Sequence, residues 1–303
     1  MIDLPDSFIS RITGTYPERG EAWLHTLPDL LHEIQRKWNL TIHPPPFPFS
    51  YHYVIPCRTR DGEQAILKMG VPRGELTREI QALQHFRGNG AVRLMKAEAE
   101  KGAMLLERLQ PGHTLLRVES PHPAAAIATD VAKKLWSPPP TGQSFPTVAR
   151  WGQGFKKLRS TFRHAPSPFP REIVDRAEST FHDLLETSAE PVLLHGDLHH
   201  RNILRDRDTW MAIDPKGVTG EPAYEAGAFL RNPVPEILKW DQFHKLTERR
   251  LDIFHERCSL PRQRMLLWAF AQCVLAAWWS YEESDTAWKS WMVIAHQFHN
   301  MLP

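Results

Sequence analysis

The stretch "LLHGDLHHRNIL", Leu193 to Leu204, constrains this chain more than any other. An apolar pair enters it and an apolar pair leaves it; between them stand three histidines, an aspartate, an arginine and an asparagine. Short apolar runs of this kind read as strands, so the segment between them is a loop loaded with polar chemistry. A further apolar run, Trp210 to Ile213, follows the polar turn "RDRD" and ends on Asp214. Two short strands joined by that turn would bring Asn202 and Asp214 close together.

Two chemistries suit these letters. His195, Asp197, His199 and His200 could ligate zinc or a metal pair. Such sites usually take further His or Asp ligands from other segments, and although the chain has 16 histidines, none of the others forms a comparable cluster. The other chemistry is phosphotransfer. Asp197 and Asn202 have the D-x-x-x-x-N spacing of a kinase catalytic loop, with Gly196 where that loop has arginine. One carboxylate must accept the proton of an attacking hydroxyl, and an amide oxygen a few residues on must reach a magnesium ion beside it. Twelve residues after Asn202, Asp214 ends its strand with Gly217 three residues on, the position of the kinase D-F-G aspartate.

A kinase also needs a lysine on a strand and a glutamate to hold it. "AILKMG" supplies Lys68 at the end of an apolar run, and Glu79 lies eleven residues on in a helical segment. Taken singly, a lysine ending a strand is a solvated charge and a helical glutamate is a surface residue. The joint order of lysine strand, glutamate helix, hinge, D-x-x-x-x-N and strand-end aspartate is what points to phosphotransfer. The pair is expected at the edge of a cleft.

The organisation along the chain agrees. "YHYVIPCRTRDGEQAILKMG" is two strands split at Asp61-Gly62. Leu76, Ile80, Leu83 and Phe86 make a helical stripe that stops at Gly88, and "VRLMKAEAEKGAMLLERL" is a second hairpin turning near Lys101-Gly102. The first third thus reads as strands around one helix. From Pro111 the pattern changes to helices with proline-rich connectors, "SPPPTGQSFP" and "HAPSPFP". Short strands return near Val192, Ile203 and Trp210, and helices follow after Pro233. A β-rich lobe over residues 1–110 and a helical lobe over 111–303 are expected, joined near "LERLQPG".

Charge and cysteine usage exclude several alternatives. A net charge of +2, without runs of Lys or Arg, gives no nucleic-acid footprint. Cys57, Cys258 and Cys273 are odd in number and far apart, which reads as free thiols in a reducing compartment. "MIDLPDSF" has no basic stretch leading into an apolar run, so no signal peptide is expected. Met265 to Tyr281 is uncharged but short of the roughly 20 residues a span needs, so a buried helix is expected and no membrane partner. The expected location is cytoplasmic.

The sequence resembles the aminoglycoside/hydroxyurea antibiotic resistance kinase family, which includes streptomycin 6-phosphotransferases. The resemblance is carried by "GAVRLMKAEAEKGAMLLERLQPG", "LLHGDLHHRNIL" and "MAIDPKGVTGEPAYEAGAFLRNP", and runs from about Tyr53 to Trp291. It implies an α+β fold of two lobes like that of protein kinases, use of ATP and magnesium (Mg2+), and phosphate transfer to a hydroxyl of a small molecule such as streptomycin. Hydroxyurea, an unknown metabolite, or a kinase-like binding protein without catalysis are the alternatives. By position, Asp197 is the catalytic base, Asn202 and Asp214 bind metal, Lys68 binds the α/β-phosphates and Glu79 holds Lys68. Backbone groups from Glu107 to Leu109 would contact adenine. His195 becomes a buried strut and Glu225 a brace of the loop. Where protein kinases have a glycine-rich loop this chain has "PFPFSYHYVIP", which leaves Ser50 to His52 as the phosphate cradle. Arg201 either contacts phosphate or substrate or is solvated. For a polycationic acceptor the acidic candidates are Glu282, Glu283 and Asp285, at the end of an apolar helix. Trp278 and Trp279 line a sugar face or fill the core.

Overall fold

Tyr53–Arg58 (β2) and Gln64–Met69 (β3) pair antiparallel in full register, from Tyr53 opposite Met69 to Arg58 opposite Gln64. The turn between them holds Asp61 and Gly62, the glycine at φ +85°, where a side chain would be strained. In the computed structural model, which describes residues 4–44, 49–142 and 145–303, this hairpin belongs to the first of two compact units, Met1–Gly112 and His113–Pro303.

The sheet of the first unit has the order β1-β2-β3-β5-β4, with β1 at Thr41–Ile42, β4 at Leu94–Glu98 and β5 at Ala103–Glu107. Side chains alternate across a strand, so Ala65, Leu67 and Met69 share one face of β3 while Ile66 and Lys68 share the other. The first face joins a core with Ile55, Leu105 and a long helix. That helix corrects the sequence reading, which placed one helix among these strands; the described residues of the unit hold three. Asp6–Thr15 (α1) and Pro17–Trp38 (α2) precede the sheet, and Glu75–Phe86 (α3) follows β3. The α2 stripe is regular: Trp23, Leu27, Leu31, Ile34 and Trp38 are all buried. Each such apolar side chain contributes roughly 1.5–3 kcal/mol by leaving water. Pro28, inside the helix, disguises it in the sequence, because proline normally breaks a helical run.

The second unit is mostly helical. After β6 (Pro111–Thr114), which spans the division, come α4 (Pro121–Leu135), α5 (Val148–Trp151), α6 (Gln153–Thr161) and α7 (Arg171–Glu186). Four short strands follow: β7 (Val192–Leu194), β8 (Ile203–Asp206), β9 (Thr209–Ala212) and β10 (Val218–Gly220). Then come α8 (Pro222–Leu230), α9 (Phe243–Cys258), α10 (Arg262–Glu282) and α11 (Trp288–His299). Helix α10 is apolar all round because it is the axis of the unit, with every residue from Met265 to Trp278 except Leu267 buried beneath α6, α7, α8, α9 and α11. No helix among the described residues is long and apolar enough to cross a membrane. The three cysteines are free thiols.

Candidate active site

Two strand pairings fix the polar loop. Strand β10 pairs with β7, Val218 opposite Leu194, and β9 pairs with β8, Ala212 opposite Ile203. The loops 195–202 and 213–217 are therefore clamped at both ends and run side by side. Ile213 N–H donates to Asn202 O at 2.9 Å, and Lys216 N–H to His195 O at 2.8 Å. Asn202 and Asp214 are brought together as the hairpin reading requires.

His195 is fully buried and both ring nitrogens are used. Nε2–H donates to Ile213 O at 2.8 Å, and Nδ1 accepts from the Asp197 N–H at 3.2 Å. Burial pushes its pKa down to about 4, so the ring is neutral at neutral pH. Beneath it Glu225, 1 % exposed, accepts the N–H of His195 at 2.7 Å and of Gly196 at 2.9 Å. Burial pushes Glu225 up to about 7 against the pull of those two donors. Gly196 sits at φ +87°, and a Cβ there would stand 2.9 Å from both the Trp151 ring and a Val218 methyl, so the arginine of the general kinase loop cannot occupy this position.

Asp197 keeps part of its carboxylate open, at 29 % side-chain exposure. His199 Nε2 lies 3.5 Å from Oδ2, and Arg231 Nη2 3.7 Å from Oδ1. Burial opposes the charge, but attraction to His199, Arg231 and Lys216 outweighs it and holds the carboxyl well below the usual carboxylate range. The Asn202 amide nitrogen donates to Asp197 O at 3.0 Å, which turns its oxygen the other way. That oxygen and the Asp214 carboxylate are hard donors, the set magnesium takes together with water and phosphate oxygens, so these residues fit the metal. Asp214 sits at φ 60°, a left-handed conformation that aspartate tolerates better than most residues.

The zinc cage does not form. His195 has no free nitrogen, and the His199 Nδ1 accepts the Arg201 N–H at 3.1 Å. His200 turns inward to stack on Phe229 at 4.3 Å. Among the described residues, the group of His, Asp and Glu spaced to hold a metal is elsewhere, on exposed α7: His182, Asp183 and Glu186. Arg201 pairs with Glu236 at 2.6 Å.

In the first unit Lys68 and Glu79 meet, with Nζ 2.8 and 2.7 Å from the two carboxylate oxygens. The pair is deeply buried, at 4 % and 3 % side-chain exposure. Glu79 lies on the inward stripe of α3, beside Leu76, Ile80 and Leu83. At the end of β5, the N–H groups of Glu107 and Arg108 already donate to Arg93 O and Gln64 O. Residues 45–48, which start the glycine-free loop, lie outside the described residues. His52 lies against Gly70, the residue after β3.

Glu282, Glu283 and Asp285 are exposed on the turn between α10 and α11. Glu282 pairs with Lys157 at 3.5 Å, and Asp285 Oδ1 accepts the Ala287 N–H at 3.0 Å. Trp278 is core, and Trp279 is half-buried with its ring 6.1 Å from that of Trp151. The sequence reading missed Arg231 and the side-chain role of His199. A single arginine closing the apolar run "AYEAGAFL" was the available signal for the first.

The family model of aminoglycoside/hydroxyurea antibiotic resistance kinases matches residues 37–284. A streptomycin 6-kinase of Streptomyces glaucescens is 28 % identical over 290 residues, 95 % of this chain and 94 % of that one. A hydroxyurea phosphotransferase of Kitasatospora aureofaciens is 29 % identical over 280 residues, 88 % of this chain and 77 % of that one. Among solved structures, choline kinase LicA of Streptococcus pneumoniae superposes with a TM-score of 0.62 at 12 % identity, over 91 % of this chain and 99 % of that one. An aminoglycoside phosphotransferase in ternary complex with ADP and hygromycin B superposes with a TM-score of 0.59 at 14 % identity, over 89 % and 97 %.

Proposed function

The chain belongs to the aminoglycoside/hydroxyurea antibiotic resistance kinase family, and from that premise we propose that it transfers the γ-phosphate of ATP to a hydroxyl of streptomycin, with Asp197 as the base. It is a small-molecule kinase. The observation that carries the assignment of roles is the self-closed loop from His195 to Asn202, whose one part-open carboxylate is Asp197.

Asp197 receives the acceptor hydroxyl in hydrogen-bond range and takes its proton as the oxygen attacks phosphorus. The new O–P bond forms while the bond from phosphorus to the β–γ bridging oxygen breaks, and that electron pair leaves with ADP. Charge attraction keeps Asp197 ionised, so it acts first by orienting the hydroxyl and accepts the proton late. Asn202 and Asp214 would hold magnesium, which when bound would supply positive charge against the negative charge developing on the phosphate oxygens. Lys68, held by Glu79, binds the α/β-phosphates. Since the donors of Glu107 and Arg108 are engaged in the sheet, a backbone donor to adenine comes from Leu109. Glu225 and His195 are struts: they hold the loop and touch no reactant.

Streptomycin is preferred as acceptor because the streptomycin 6-kinase relative aligns over nearly the whole length of both chains. Hydroxyurea is a second reading, favoured by the 29 % identity of the hydroxyurea phosphotransferase against 28 % for the streptomycin 6-kinase. Glu282, Glu283 and Asp285 are the proposed contacts for a cationic acceptor. Purified protein is given magnesium, ATP and either streptomycin or hydroxyurea, and ADP release and the mass of the acceptor are followed. A phosphorylated streptomycin supports the proposal. Phosphorylated hydroxyurea alone selects the second reading, and ADP release with neither acceptor modified rejects both.

A further inference from the structure

We infer that Arg231 is the residue that positions the catalytic carboxylate of Asp197. The inference rests on the role of Asp197 proposed above and extends it to a side chain 34 residues away in sequence.

Arg231 directly follows α8 and is 9 % exposed. A buried guanidinium is costly unless its hydrogen bonds are met, yet the Arg231 Nε is buried without a partner. Its guanidinium carbon lies 4.7 Å from the centre of the Trp291 ring, which supports it from α11. Its Nη2 stands 3.7 Å from Asp197 Oδ1, with His199 on the other oxygen. Both separations exceed a direct hydrogen bond, so charge steers the carboxylate while its lone pairs stay open to a hydroxyl.

The backbone that presents Arg231 is fixed by a second buried arginine. Arg250, fully buried on α9, donates to Leu230 O at 2.9 Å, to Phe229 O at 2.6 Å and to Asn232 O at 2.8 Å. These carbonyls flank Arg231 on both sides. Helix α8 thus acts on the catalytic loop at two points: Glu225 holds its backbone, and Arg231, at the far end, faces its reactive side chain. A buried arginine facing one carboxylate, with a second buried arginine fixing its backbone, breaks the ordinary rule for a stable core, and such breaks collect at functional sites.

The test is a double-mutant cycle on the full chain: wild type, Arg231→Met, Asp197→Asn and the double variant, with ATP and streptomycin or hydroxyurea. Arg231→Met should lower kcat by about 10- to 100-fold with the KM for ATP unchanged, the size expected for a misplaced reacting group. In the Asp197→Asn background the same change should have no further effect, because the residue acts through Asp197. Arg231→Lys should recover part of the loss, and it replaces Arg231→Met in the cycle if that variant does not fold. Equal fold-losses in both backgrounds, or full activity of Arg231→Met, overturn the inference. If wild type phosphorylates neither acceptor, the proposed function fails separately. The pairing is then read by urea unfolding of the same four proteins, where coupling above about fivefold in the unfolding constant supports it and additivity overturns it.

Discussion

Glu225→Gln changes one oxygen of a buried carboxyl into an NH2 and leaves its shape almost intact. Glu225 accepts two backbone N–H groups, from His195 and Gly196. A glutamine oxygen can serve one of them; the other then faces an N–H. Leaving a buried donor unmet costs about 1–3 kcal/mol. The pH dependence is the sharper signature. Burial raises Glu225 from the ordinary 4.5 to about 7. Below 4.5 the group is protonated in both folded and unfolded chains. As pH rises from 4.5 to 7 the unfolded chain releases this proton while the folded chain keeps it, so stability from this group is progressively lost, by about 3 kcal/mol in all. Glutamine has no such loss. Urea unfolding of both proteins from pH 4 to 8 should therefore show Glu225→Gln less stable by about 1–3 kcal/mol at pH 4. The gap should close or invert by pH 8. Subtraction removes every other titrating group, His195 included. A gap that stays constant across the range would refute the reasoning, and would mean that the two N–H donors hold Glu225 ionised despite its burial.

Lys68→Met should destabilise the protein by about 3–5 kcal/mol, since it strands Glu79 in a buried site, and Lys68→Met with Glu79→Leu should regain most of that in thermal melts while turnover stays lost. A stable Lys68→Met single variant would contradict the burial of the pair. Asp214→Asn, chosen because asparagine also tolerates a left-handed backbone, should keep the fold but abolish the tightening of ATP binding by magnesium, measured by calorimetry with and without the metal. Tightening equal to wild type would remove Asp214 from the metal site.

The sequence exposed those parts of the site whose spacing is local. Asn202 comes beside the Ile213–Asp214 segment because a short hairpin has few registers, and Lys68 and Glu79 sit on adjacent elements separated by one turn. The depth of the Lys68–Glu79 pair was also legible, since residue 79 falls on the stripe of Leu76, Ile80 and Leu83, yet charge alone argued for the surface. The N-terminal helices were hidden by Pro28 despite a regular apolar stripe in α2. The lone arginine closing "AYEAGAFL" marks Arg231 in the sequence, but the partners of Arg231 and Arg250 depend on how α8, α9 and α11 pack around α10, which local spacing does not specify. The kinase motif assigns His199 no role, since its place beside Asp197 depends on the loop closing on itself.

The central claim is that Asp197 serves phosphate transfer to a hydroxyl. Its most direct test is single-turnover transfer from γ-labelled ATP to streptomycin by wild type and by Asp197→Asn, with circular dichroism confirming that both are folded. The account expects labelled streptomycin with wild type and a transfer rate about 100- to 10,000-fold lower with Asp197→Asn, as for loss of a general base. Transfer by a folded Asp197→Asn within a fewfold of wild type would contradict it.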